Sequence, residues 1–372
     1  MKLKKTIDDV FFIQEYAMTR RFVSLTILIL FLCGTNAFAL QDRISPLSDY
    51  QYKRDYAQYE ELQKETDAQK RSDLLLGFLK EHPINRILFY VVQDYQSAIA
   101  AQLEKKDWAK AISMAETMLA ALPTDGDVTA AEIPVGVEEF MDQQLKPSRL
   151  AMQQIILQAY YSSADWPKAA ELQEKLHAAA PSIQGLQVLA DIYLKMQNND
   201  KYLEVANKIM AENPIDQPLG FATAYQVVQI HRQKQDMTAA TELYTKLMAV
   251  YGDKLPPNVT EAQWNPERAL AYTLMAQPVY KNEDWPKAIE LYEKVLKADP
   301  ANGDAWYYIG MSKWRSEGQD SALEPFAKSV VLNKQTAERS RQLLEQIYKA
   351  KNSDSLDGID EVLAKAKADL GI

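Results

Sequence analysis

The sequence predicts an all-α chain built as a stacked array of helix pairs, and two observations predict it. One phrase occurs three times: Asp107-Trp108-Ala109-Lys110-Ala111, Asp165-Trp166-Pro167-Lys168-Ala169 and Asp284-Trp285-Pro286-Lys287-Ala288. In each copy a proline stands twelve residues beyond the last alanine, at Pro123, Pro181 and Pro300. A fixed spacing that starts a helix, crosses a neighbour closely at a small residue and then stops marks a helical repeat. Arrays of this kind bind more often than they catalyse.

Each part of the phrase has a physical task. An aspartate before the tryptophan can accept hydrogen bonds from the free amides that open a helix. Proline fits the first turn because its missing N–H would go unpaired there anyway. The alanine lets two helices approach, and the later proline ends the second helix after roughly 18 Å. The tryptophan is read as packing under the turn.

In chain order, the first 39 residues read as an export signal. The apolar run from Phe22 to Cys33 follows Arg20-Arg21 and precedes Ala37-Phe38-Ala39, with cleavage before Leu40. Asp8, Asp9 and Glu15 are out of place in such a signal and make Met18 an alternative start. Residues 40–372 are then one domain. Tyr50 to His82 reads as a degenerate pair ending at Pro83, and residues 92–123 as the first pair with clear grammar. Residues 124–147 are an acidic insertion with a short amphipathic piece near Phe140. Asp125 and Asp127 lack the further oxygen ligands of a calcium loop and read as solvated acids.

Further pairs follow at 150–181, 183–214 and 221–252. In the second of these Tyr202 replaces the expected alanine, so that pair should splay slightly. Residues 253–266, with Pro256-Pro257, read as a second insertion, a loop. Pairs at 269–302 and 303–334 come next, then a helix from Ala337 to Ala350. Residues 356–370 form a cap, with Ile359, Val362, Leu363 and Ala366 on one stripe and charges opposite.

Residues 303–334 carry the resemblance to a known family. Trp306, Ile309, Gly310, Ala322 and Phe326 resemble the tetratricopeptide repeat (TPR) pattern, although Lys313 and Lys334 replace its tyrosine and proline. Ala288 and Ala322 lie 34 residues apart, the repeat length of that family. The resemblance implies a right-handed solenoid of six to seven pairs in which the first helix of each pair lines a concave groove.

Composition excludes several functions. Without residues 1–39, 37 Lys plus Arg stand against 48 Asp plus Glu, a charge of about −11. Such a chain repels phosphate backbones and anionic bilayers, so no nucleic acid partner is expected, and a membrane only through an uncleaved signal. Cys33 is the single cysteine, so the exported chain forms no disulfide. His82, His177 and His231 lie in different pairs without ligand spacing, and no nucleophile elbow or phosphate loop occurs. No enzyme activity, cofactor or metal is expected.

The family's groove positions give the candidate site. The resemblance places Gln96, Gln154, Gln187, Tyr225 and Tyr307 in one row. A second row holds Gln158, Asp191, Gln229 and Gln277, and a third Tyr161, Arg232, Tyr280 and Trp314. Glutamine supplies a donor and an acceptor, so such rows can pair with the backbone of an extended peptide whatever its side chains. The lysine, asparagine and arginine set with which some TPR domains clamp a terminal carboxylate does not occur in these rows. The expected function is a non-enzymatic periplasmic or secreted scaffold that binds an extended segment of another protein. Alternatives are a glycan-binding or cell-wall module using the groove aromatics, and homo-oligomerisation. Oligomeric state is not legible in the sequence.

Overall fold

The computed structural model describes residues 49–131 and 137–372. The export signal lies outside them, as do 132–136 of the first insertion. Among the described residues no helix is long and apolar enough to cross a membrane.

The described chain is all-α. Helices α1 (Asp49–Leu62), α2 (Ala68–Glu81), α3 (Leu88–Glu104) and α4 (Trp108–Ala121) are followed by two short helices, α5 (Asp125–Ala130) and α6 (Val137–Phe140). A π turn, Met141–Leu145, leads into α7 (Lys146–Ser162) and then α8 (Trp166–Ala179). Next come α9 (Ile183–Lys195), α10 (Asn199–Glu212), α11 (Pro218–Gln233), α12 (Met237–Tyr251), α13 (Glu261–Lys281), α14 (Trp285–Ala298) and α15 (Gly303–Glu317). A 3₁₀ turn, Gln319–Ala322, precedes α16 (Leu323–Leu332), α17 (Ala337–Lys351) and α18 (Ile359–Leu370).

The repeated phrase does what its chemistry requires. The Asp107, Asp165 and Asp284 carboxylates accept from the amides of Lys110, Lys168 and Lys287 at 3.2, 3.4 and 3.2 Å. Asn198 and Asp236 cap α10 and α12 in the same manner, at 3.2 and 3.1 Å, so the device recurs in five successive pairs.

The residue before each cap is left-handed: Lys106, Ala164, Gln197, Gln235 and Glu283 have φ of 58°, 59°, 55°, 59° and 63°. The cap's own N–H then reaches back to the helix just ended. Asp107 donates to the Gln102 carbonyl and Asp165 to that of Tyr160, both at 2.9 Å. This six-to-one bond closes the first helix while the same residue's side chain opens the second.

Helices α4, α8, α10 and α14 stop at residues 121, 179, 212 and 298, two residues short of Pro123, Pro181, Pro214 and Pro300. Ala111, Ala169, Ala240, Ala288 and Ala322 are essentially fully buried where the paired helices cross.

Contacts divide the chain into two compact units, up to Lys175 and from Leu176. In the first, Leu75, Phe78, Ile87, Leu88, Ile99 and Met118 form the centre of the core. Its degenerate opening pair is tied down by polar contacts to α3. Tyr59 donates to Asp94 at 2.8 Å, and Arg71 pairs with the same carboxylate at 2.7 Å. The insertion packs its apolar residues Val128, Phe140 and Leu145 into this core, while Asp125 and Asp127 are exposed. Asp127 and Thr124 form a reciprocal capping box, and Asp125 pairs with Arg149 at 2.5 Å.

In the second unit each helix packs on its near neighbours in the chain, from α9 through to α18, which lies against α16. Ile359, Val362, Leu363 and Ala366 of α18 cover the apolar face around Phe326 and Leu344. The stretch 253–266 is a loop only to Thr260. A capping box of Thr260 and Gln263 starts α13 at Glu261, and the helix runs on through Pro266 and Pro278. Trp264 anchors the added turns: it is 1 % exposed and donates from Nε1 to the Tyr251 carbonyl at 3.1 Å.

Candidate functional site

All thirteen residues of the three rows lie on the first helix of their pair. Gln96 is on α3, Gln154, Gln158 and Tyr161 on α7, and Gln187 and Asp191 on α9. Tyr225, Gln229 and Arg232 are on α11, Gln277 and Tyr280 on α13, and Tyr307 and Trp314 on α15. Spacings of three and four residues put the members on each helix on one face. Gln154, Gln158 and Gln277 are exposed, and the other ten are half-buried.

The aromatic members are built into the turns. Tyr161 meets Trp166 edge to face, with ring centroids 5.0 Å apart and planes at 85°, and Tyr280 meets Trp285 at 5.3 Å and 72°. In both cases the phrase's tryptophan follows the tyrosine by five residues, across the turn. Tyr280 also touches Tyr308 at 5.1 Å, Tyr308 stacks on Tyr292 at 5.0 Å, and Tyr307 lies 5.2 Å from Tyr308. Trp314 leans edge-on toward Phe326 at 6.3 Å. Burial raises the Tyr280 phenol above its ordinary range, and the neighbouring Tyr307 and Tyr308 add to the rise. These rings are positioned by their own chain and present only part of their surface.

The structure brings three of the predicted residues together on α11 around a carboxylate that sequence reasoning missed. Arg232 Nη1 donates to Gln229 Oε1 at 3.0 Å, to the Tyr244 hydroxyl at 3.3 Å and to Glu267 Oε2 at 3.3 Å. The Tyr244 hydroxyl donates to the same Glu267 oxygen at 2.6 Å. The Tyr225 ring stacks on Phe221, and its phenol lies within the field of the same carboxylate. Both phenols are held well above their ordinary range, first by burial and then by the negative charge of Glu267. Gln229 Nε2 is buried and has no hydrogen-bond partner.

Glu267 owes its place to the extra turns of α13. Trp264 fixes them from inside, and Arg268 ties them to α12 through the Gly252 carbonyl at 3.1 Å and to Asn265 at 2.6 Å. The Thr260-x-x-Gln263 signature was the sequence signal that could have moved the helix start forward and brought Glu267 into view.

Two histidines have carboxylate neighbours that lie far from ligand spacing in sequence. His82 Nδ1 is 3.2 Å from Asp55, and His231 Nδ1 is 3.3 Å from Asp236. Among the described residues no group of three or more His, Cys, Asp or Glu side chains is placed to hold a metal ion.

No protein-family profile and no curated protein matches this chain. Several solved structures are similar in fold. YrrB, described as a TPR protein with an unusual peptide-binding site, is 12 % identical with a TM-score of 0.33, covering 51 % of this chain and 91 % of its own. A tetratricopeptide repeat protein from Parabacteroides merdae is 14 % identical with a TM-score of 0.32, covering 69 % and 98 %. The TPR2AB domain of yeast Sti1, described as a TPR2AB-domain:pHSP90 complex, is 17 % identical with a TM-score of 0.33, covering 86 % and 100 %. Likeness at this level carries no argument about this chain. The recurrence of capped, alanine-crossed and proline-stopped helix pairs in this chain makes its fold an all-α, TPR-like helical repeat.

Proposed function

We propose that this protein is a non-enzymatic interaction scaffold that binds an extended segment of another protein along the first helices of its pairs. The observation that carries the reading is the pair Gln154 and Gln158, one turn apart on α7 and both exposed. Exposed amides in register can donate to and accept from a peptide backbone without selecting its side chains. Export to the periplasm or beyond the cell belongs to the same proposal and rests on the character of residues 1–39.

A photoreactive residue at position 158, with a control at the exposed Lys365, tests the binding surface in the host cell. A protein adduct at 158 absent from 365 supports the reading, and equal or absent labelling at both positions removes it. N-terminal sequencing of the purified protein tests export, with Leu40 the expected first residue. The partly exposed rings of Tyr161, Tyr307 and Trp314 favour a second reading, a glycan stacked on these faces. Binding of soluble oligosaccharides lost with Tyr161→Ala and Trp314→Ala would select it.

A further inference from the structure

The first-helix face of α11 contains an anion site that is already filled. Arg232, at a groove position, and Tyr244 from α12 converge on one acceptor, Glu267 Oε2, and Gln229 accepts from the same Arg232 nitrogen. A carboxylate oxygen that accepts from an arginine and a buried phenol has the environment of a bound acidic ligand. Here the carboxylate comes from the chain itself, delivered by the two extra turns of α13. The Arg232 and Glu267 side chains are 28 % and 19 % exposed, so the pair sits at the surface end of the cluster, within reach of exchange.

We infer that Arg232 and Tyr244 form a carboxylate-binding subsite that Glu267 occupies in cis, and that an acidic side chain of an extended peptide binds there by displacing Glu267. This rests on the reading of the first-helix face as a peptide-binding surface. Exchange of one carboxylate for another leaves the number of charge-assisted hydrogen bonds unchanged, so the intramolecular group sets a threshold that a ligand must overcome. Glu267 is therefore a specificity device: it suppresses binding of free carboxylates and of weakly acidic segments. A peptide that makes further contacts along the face can still compete.

The test is chemical rescue in the full chain. Glu267→Ala should lower Tm, and sodium acetate should restore it by about 2 °C or more beyond sodium chloride at equal ionic strength, by mass action on the vacated subsite. The double variant Glu267→Ala with Arg232→Met should show no acetate-specific shift. The peptide acetyl-Ala-Ala-Glu-Ala-Ala-amide should bind Glu267→Ala about ten-fold tighter than it binds the unaltered protein, and about ten-fold tighter than its Gln counterpart does.

Identical Tm in acetate and chloride for folded Glu267→Ala overturns the subsite, as does rescue that survives the loss of Arg232. Acetate rescue without preference for the Glu peptide overturns the peptide side chain as its occupant and leaves free carboxylates. If Glu267→Ala does not fold, Glu267→Ser, which also vacates the subsite but leaves a small polar side chain, takes the same titrations with the same outcomes. Labelling at position 158 reports on α7 in the other unit, so its failure and the failure of acetate rescue are separate results.

Discussion

Gly310 lies directly beneath the ring of Phe326, where a Cβ on the glycine would stand 2.7 Å from Phe326 Cε1 and 2.8 Å from Cδ1. The ring has no room to retreat, because Phe326 is fully buried in the core that α18 covers. Gly310→Ala should therefore destabilise the second unit by overpacking, by about 1–3 kcal/mol. Urea unfolding monitored by circular dichroism measures this, and an unchanged midpoint would show that α15 and α16 can separate freely.

Ala164 carries the opposite expectation. It is exposed and left-handed at φ 59°, a conformation that costs a residue with a Cβ roughly 1 kcal/mol. Ala164→Gly should raise stability by about 0.5 kcal/mol after the extra backbone entropy lost by glycine is deducted. The equivalent change at Glu283, in a distant turn, should add to it. A double variant less stable than the parent would show that the side chains at these turns make contacts of their own.

Asp284 closes α13 through its N–H, which donates to the Val279 carbonyl, and opens α14 through its carboxylate. Asp284→Ala should cost about 1 kcal/mol, whereas Asp284→Asn should cost much less, because Asn198 already serves in the same role. Parallel thermal melts of the two variants separate the cap from any effect of charge.

The Glu290 carboxylate on α14 is held down at about 2 by hydrogen bonds from Lys287 at 2.6 Å and Lys294 at 2.9 Å. A carboxylate lowered on folding contributes stability that is complete above its unfolded value near 4.5 and is lost as pH falls through its folded value near 2. Its side chain is 45 % exposed, so the contribution should stay below about 1 kcal/mol and fade with added salt. Glu290→Gln should flatten the acid limb of the pH–stability curve by that amount and leave stability at high salt unchanged. NMR titration of the Glu290 side chain gives the folded value directly.

What was legible in the sequence was whatever acts locally. Asp107, Asp165 and Asp284 cap helices because the required amides lie three residues away, and Pro123, Pro181 and Pro300 end them for equally local reasons. The first turns of α13 were hidden because Pro256, Pro257 and Pro266 read as breakers. Burial of Trp264 against α12 outweighs the amide that Pro266 lacks, and burial is set by the rest of the unit. In the insertion the amphipathic piece near Phe140 was legible, whereas Val128 and Leu145, which also reach the core, are spaced too irregularly to show it. At the candidate site, positions on α7 and α13 could be named, but the partners of Arg232 could not. Tyr244 and Glu267 lie 12 and 35 residues beyond it and meet it only through packing. The edge contacts of Tyr161 and Tyr280 with the tryptophans five residues on were likewise not read from the sequence, which took both tyrosines as groove residues.

The shared cap residue has a mechanical consequence. In each of five turns one side chain and one amide of a single residue hold both the end of a helix and the beginning of the next. The two helices of a hairpin are therefore clasped at their common corner and loosest at their far ends. Pulled apart in an optical trap, such hairpins would peel from the open ends toward the corner and release their length in steps of one hairpin each, with the corners the last points to yield.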